Sequence, residues 1–179
     1  MRTEIQIAGF GGQGIVLTGL LLGKAAALYD GKQAVFTQSY GPEARGGASC
    51  ANVVISDAPI DFPLVTRPDV LVCMFQEAYA KFRPGLKKGG TLILDSGLVR
   101  PSPMDASAPS IFATRLAEEL GKKIVANVVM FGYLVGLTRA VSFAAAEKAI
   151  ASTVKAKTVT LNLKAFALGL DQVRSKAAR

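Results

Sequence analysis

Residues 4–29, EIQIAGFGGQGIVLTGLLLGKAAALY, decide the class of fold. Glu4 to Gly9 reads as a short strand, residues 9–14 as a glycine-dense turn, and Gly14 to Tyr29 as a helix closed by Gly31. The helix is apolar nearly all round, with Thr18 and Lys24 the chief exceptions, so it is expected to be buried on more than one face. Gly9, Gly11 and Gly14 satisfy G-x-G-x-x-G between a strand and a helix, the context that gives the motif meaning. Glycines permit a tight turn and close backbone approach, and the free N–H groups at the helix start favour an anion.

A nicotinamide dehydrogenase would also need an acidic residue about 20 positions further on to hold the ribose. Phe36, Thr37 and Gln38 stand there instead, and the extra Gly12 and the amide of Gln13 also depart from the ordinary fingerprint. The dinucleotide reading is therefore disfavoured. A phosphate or thioester-cofactor site and a close-packed turn without a ligand remain as alternatives of similar weight.

Outward from this stretch, strands and helices alternate. Strands are expected at Ala34 to Gln38, Asp69 to Phe75 and Thr91 to Asp95, with a β-rich stretch at Ala48 to Ser56. Helices are expected around Glu77 to Phe82, Ile111 to Leu120, Ser142 to Thr153 and Leu161 to Val173. Pro42, Pro59 and Pro63 mark breaks, Pro101 to Ser110 is a loop, and strand and helix compete over Lys123 to Val129. The pattern predicts one α/β domain over residues 1–179, a Rossmann-like three-layer sandwich with a mostly parallel sheet and helices on both faces. A chain of 179 residues, 50% hydrophobic, suits one buried core.

Composition excludes several functions. The net charge of +8 comes from basic residues scattered singly or in pairs, without the basic runs of a nucleic-acid interface. Distributed positive charge suits acidic small ligands or a negatively charged partner. With two cysteines, no histidine and no CxxC spacing, an iron–sulfur or structural zinc site is not expected. Cys50 and Cys73 lie in apolar runs and read as small buried hydrophobes, in keeping with a reducing cytoplasm. Ser39 and Ser49 have no histidine partner for a conventional triad. Glu4 and the glycine-rich turn interrupt what would otherwise imitate a signal peptide, and the apolar run is too short to span a bilayer. The protein is expected to be cytoplasmic.

A second loop, SYGPEARGG at residues 39–47, gathers Tyr40, Glu43 and Arg45 beside Gly41, Gly46 and Gly47. Arg45 can offer its planar fork to a carboxylate or phosphate, or can pair with Glu43 or a neighbouring subunit and fix an interface. Asn127 reads as a helix cap or a ligand contact. Asp57 and Asp61 flank a proline turn suited to Asx hydrogen bonding, and Asp95, at a strand's carboxyl end, reads as an exposed loop aspartate. Tyr79, Phe82 and the apolar side of Leu161 to Leu170 read as packing or interface.

Through GFGGQG (9–14), SYGPEARGG (39–47), NVVISDAPI (52–60), PDVLVCMFQEAYAKF (68–82), GGTLILD (89–95) and NVVMFG (127–132), the chain resembles the gamma subunit of the 2-oxoacid:ferredoxin oxidoreductases. The match extends to about Ala140, and YGPEARGGAS looks most like the 2-oxoglutarate type. The resemblance implies a multi-subunit enzyme that decarboxylates a 2-oxoacid on thiamine diphosphate, passes electrons through iron–sulfur clusters to ferredoxin, and delivers the acyl group to coenzyme A. No thiamine-type GDG segment stands in this chain, so thiamine and the clusters are expected on alpha, beta and ferredoxin-like delta subunits. Gly9, Gly11, Gly12, Gln13, Gly14, Tyr40, Glu43, Arg45, Gly46 and Gly47 are then the candidates for ligand binding or the subunit interface. A free-standing Rossmann-like nucleotide-binding protein is the alternative. The apolar first helix and the glycine loops are expected to expose enough hydrophobic surface for the isolated chain to self-associate.

Overall fold

The computed structural model describes residues 1–39 and 47–177. The chain runs β1 (Arg2–Phe10), α1 (Ile15–Lys24) with a π-helical turn at Ala25–Tyr29, β2 (Gln33–Ser39), β3 (Ala48–Ser56), β4 (Val70–Cys73), α2 (Gln76–Phe82) and β5 (Thr91–Asp95). It continues through β6 (Ser110–Ile111), α3 (Ala113–Glu119), α4 (Ala126–Thr138), α5 (Phe143–Thr153) and α6 (Val159–Ala177). The six strands form one sheet in the order β2-β3-β1-β4-β5-β6.

The pairs β1–β4, β4–β5 and β5–β6 are parallel, as the alternation predicts. β3 lies antiparallel between β1 and β2. The reason is length: residues 40–47 are too few for the crossover of a dozen or more that a parallel pair requires.

Both faces of the sheet are covered, unequally. Ile5 and Ile7 of β1, Val53 and Ile55 of β3, and Val70 and Val72 of β4 point into the larger core beneath α1, α3, α4, α5 and α6. Ala8, Cys50, Leu71, Cys73, Leu92 and Leu94 point the other way, beneath α2. Burial on both faces explains why β4 and β5 read as continuous apolar runs instead of alternating ones.

The ambiguous segment at Lys123 to Val129 resolves as a 3₁₀ turn, Lys123–Val125, leading into α4. α4 is buried from Ala126 to Gly136 because it lies between the sheet and α6, and a continuous apolar run serves such a helix as well as a buried strand. Backbones of α4 and α6 meet directly: a Cβ built on Gly169 would overlap the carbonyl oxygen of Val129, and one on Gly132 that of Phe166.

The first helix is buried on more than one face, as its composition predicts. Ile15, Leu21 and Leu22 are in the core and Thr18 is fully buried, and the large apolar side chains that stay exposed on this stretch are Leu20, Leu28 and Tyr29. Lys24 ties α1 to the end of α5, its Nζ donating to Thr153 Oγ1 at 2.8 Å.

On the second face, Tyr79 packs as expected, and the Pro101–Ser110 loop is tied down by Asp105. That carboxylate accepts from Arg83 Nε and Nη2 and from Tyr79 Oη, all at 2.7 Å. The Arg83 guanidinium, with Tyr79, holds the Asp105 carboxyl below the usual carboxylate range.

α5 has its cap in Ser142, whose Oγ accepts from Ala145 N at 3.1 Å and donates to Asp30 Oδ1 at 2.6 Å. Ser142→Ala is expected to cost about 1 kcal/mol, roughly 2–4 °C in Tm for a domain of this size. Thermal unfolding followed by circular dichroism checks it, and an unchanged Tm would show that the cap contributes nothing.

Candidate functional site at the glycine turn

The helix following β1 lies on one face of the sheet and the helix following β4 on the other, although β1 and β4 are parallel neighbours. Their carboxyl ends therefore diverge at a topological switch point, where open α/β sheets bind ligands. The glycine turn sits there.

Gln13 holds the turn across the switch point. Its Oε1 accepts from Phe10 N at 2.7 Å, and its Nε2 donates to Met74 O, just beyond β4, at 3.0 Å. Gly9 has no side chain because the folded-back amide takes that space: a Cβ there would lie 2.6 Å from both Gln13 Oε1 and Ile15 Cδ1. Gly12 has φ 95°, and a Cβ added there would meet nothing within 4 Å, so its backbone faces open space. Gly14 has φ 76° and stands at the N-cap of α1 with no side chain to satisfy the first-turn N–H groups. No acidic residue occupies that first turn.

A cleft of about 370 Å³ opens beside the turn, lined by Gly12, Gln13, Met74, Leu98, Thr114 and Lys123, with Ile124 and Ala126 completing it. A second cleft of about 430 Å³ lies across Ile124, lined by Gly12, Gly14, Asn127 and Lys155 among others. Lys123 pairs with Glu118 at 3.4 Å, but both side chains are largely exposed, so the pairing is weak and the ammonium can turn to another anion. Uncapped N–H groups, a positive helix end and a nearby lysine suit a phosphate or carboxylate.

Asp95 corrects its expected placement: it is fully buried, accepting from Thr114 N at 3.1 Å, Thr114 Oγ1 at 2.7 Å and Gly97 N at 2.9 Å. Its strand-end position is as predicted, but the carboxylate is spent on fastening α3 to β5. The turn after β3 is closed by Ser56 Oγ, which accepts from Ala58 N at 3.1 Å, while the Asp57 carboxylate accepts from the Met1 amino group. Asn127 does not cap α4, whose N-cap is Val125; its Nδ2 donates to Gly14 O at 3.1 Å. Lys123, Ile124 and Thr114 carry no motif that marks them, since nothing local in sequence links them to the turn.

Tyr40, Glu43, Arg45 and Gly46 lie outside the described residues. Gly47 precedes β3, where Ala48 pairs with Phe10 and Ser49 with Gly9, while Ser39 pairs with Cys50. The second loop therefore leaves and rejoins the sheet at the edge that carries the glycine turn.

Cys50 and Cys73 are buried between the sheet and α2. Burial raises the Cys50 thiol and pushes that of Cys73 up to about 12, so these are packed thiols. Among the described residues, no three His, Cys, Asp or Glu side chains gather as metal ligands, and no helix is long and apolar enough to cross a membrane.

Fold and turn together define an α/β protein with an uncapped glycine turn at its switch point, in which β3 separates β1 from the β2 end where a dinucleotide enzyme would carry its ribose acid. The chain belongs to the pyruvate ferredoxin/flavodoxin oxidoreductase family, whose model matches residues 4–172. It is 54% identical over 175 residues to the 2-oxoglutarate synthase subunit KorC of Methanocaldococcus jannaschii, covering 96% of this chain and 94% of that protein. The gamma subunit of a keto/oxoacid ferredoxin oxidoreductase from Geobacter sulfurreducens superposes with a TM-score of 0.87 at 44% identity, covering 98% of both chains. The fold also matches, at TM-score 0.86 and 22% identity, 31% of a longer chain of the 2-oxoglutarate:ferredoxin oxidoreductase from Magnetococcus marinus. Within the family the chain is of the gamma type, most like the 2-oxoglutarate members.

Proposed function

We propose that this chain is the gamma subunit of an oxidoreductase that converts 2-oxoglutarate and coenzyme A to succinyl-CoA and CO2, the two electrons released passing to ferredoxin. The observation that carries the substrate assignment is the 54% identity, over nearly the whole of both chains, to a 2-oxoglutarate synthase subunit. Thiamine diphosphate, bound by alpha and beta chains, would supply the decarboxylation chemistry. The two cysteines here, packed in an apolar layer, do not fit a cluster, so electron transfer is assigned to partner chains, with a ferredoxin-like delta subunit among them.

This chain's share is the acyl acceptor. Coenzyme A is polyanionic, and the first-turn N–H groups of α1 with Lys123 suit one of its phosphates. The apolar surfaces of Met74, Leu98 and Ile124 suit an uncharged arm beside it. Arg45, in the loop rooted at the same edge, is assigned a carboxylate or phosphate of coenzyme A or the 2-oxoacid.

The test is co-expression with the thiamine-binding and cluster-binding chains, followed by ferredoxin reduction with 2-oxoglutarate or pyruvate, with and without coenzyme A. An assembly containing this chain and preferring 2-oxoglutarate supports the reading; preference for pyruvate, or exclusion of the chain, overturns it. Within that assembly, Gly12→Ala has room for its methyl but forces an L residue to φ 95°. It is expected to raise KM for coenzyme A about fivefold, the equivalent of roughly 1 kcal/mol, with KM for 2-oxoglutarate unchanged. Equal effects on both substrates would remove the turn from the coenzyme A side.

A further inference from the structure

We infer that Asn127 is a positioning residue, which sets the glycine turn for its ligand from the first turn of α4. The inference rests on the coenzyme A reading above and adds a residue that touches the turn across 113 positions of sequence. Asn127 is 2% exposed, and burying an amide is unfavourable unless it is used. Its Nδ2 donates to Gly14 O at 3.1 Å, yet that oxygen already accepts from Thr18 N at 3.0 Å and from Thr18 Oγ1 at 3.1 Å. A carbonyl has two lone pairs, so a third donor is not needed to satisfy it. What the third donor adds is geometry.

It fastens α4 to the residue that starts α1. The contact is close: a Cβ on Gly14 would lie 2.5 Å from Asn127 Nδ2, so a glycine in the left-handed region is required on one side and a short amide on the other. α4, like α1, has no side-chain cap and no acidic residue in its first turn. Asn127 thereby holds two uncapped helix starts beside Gly12, with Ile124 between the two clefts they border. Gln13 fixes the same turn to β4 from the other side. The turn is thus tied from two sides, to α4 and to the end of β4, and its N–H groups meet the ligand in a preset direction, which lowers the ordering cost of binding.

The experiment uses the assembled enzyme with Asn127→Leu, which keeps the branched shape and removes the donor, and Asn127→Ala, which removes both. Each is combined with Gly12→Ala, and coenzyme A and 2-oxoglutarate are varied separately. The expected result is a rise of about three- to tenfold in KM for coenzyme A in both variants, with kcat retained at saturation. The effect should be non-additive with Gly12→Ala, because both act through one turn. Amide hydrogen exchange of residues 11–18 should accelerate in both variants, independently of any ligand. Leucine behaving as wild type in exchange and kinetics, or a loss confined to alanine, would overturn the inference, since a cavity would then account for it. Faster exchange with unchanged KM for coenzyme A would uphold the anchoring of the turn and overturn the coenzyme A reading instead.

Discussion

Gly169→Val is expected to lower the Tm of the chain by roughly 8–16 °C, because it drives a branched side chain into another helix's backbone. A Cβ alone at residue 169 would overlap Val129 O and stand 2.8 Å from Tyr133 N. Gly132, on the opposing helix, has the reciprocal relation: a Cβ there would overlap Phe166 O and stand 3.2 Å from Leu170 N. Neither obstacle is the movable end of a side chain. An exposed helical glycine gains about 1 kcal/mol on replacement by alanine, so propensity works against the prediction. Overpacking costs about 1–3 kcal/mol when side chains can shift, and more when α4 and α6 must separate; about 4 kcal/mol is expected. Thermal unfolding by circular dichroism measures it, and a Tm within 2 °C of wild type, on the order of 1 kcal/mol or less, would sink the close-crossing account. The consequence reaches the site, since α4 carries Asn127 at its start and takes its position from α6.

Much of this architecture is legible from local pattern. The strand, glycine turn and helix of residues 4–29 fall where they are expected, and β3 and β5 occupy Ala48–Ser56 and Thr91–Asp95 as read. The direction of β3 is not carried by its own residues. It follows from the brevity of residues 40–47, a topological constraint that alternation of strands and helices does not display. α4 is ambiguous in sequence because a helix buried on all sides loses the 3.6-residue period that distinguishes it from a buried strand.

The site is legible in its backbone and hidden in its partners. Glycines at 12 and 14 advertise positive φ, and both have it. Asp95 reads as an exposed loop aspartate because two of the three donors that bury it come from Thr114, a residue 19 positions later that only the fold brings near. Asn127 looks like a cap for the same reason: the acceptor it serves is at the start of α1, and no local pattern points there. The first helix is buried on more than one face, as its all-round apolar composition predicts, because α4 and α5 pack against it as well as the sheet.

Arg45→Ala is expected to weaken the use of coenzyme A or 2-oxoglutarate by about ten- to a hundredfold while leaving the fold intact. The motivation combines sequence with placement. A permanently charged planar fork stands between Glu43 and the Gly46-Gly47 pair, and the flanking residues Ser39 and Ala48 lie at the sheet edge that holds the glycine turn. Substitutions outside a core usually change stability by no more than about 0.5 kcal/mol, so a large kinetic effect at unchanged Tm would not arise through unfolding. A charge-assisted hydrogen bond to a ligand contributes roughly 1.5–3 kcal/mol, and its loss gives the stated range. Arginine is suited to this because its charge does not titrate and its two nitrogen edges match a carboxylate or phosphate, whereas lysine offers a single point charge. Steady-state kinetics on the assembled complex, with each substrate varied in turn and subunit composition checked first, separates the cases. A rise in KM for coenzyme A alone assigns Arg45 to the acyl acceptor, and a rise for 2-oxoglutarate alone assigns it to the oxoacid. An intact complex with unchanged kinetics for both would exclude a ligand role, and dissociation of the complex would make Arg45 part of the subunit interface.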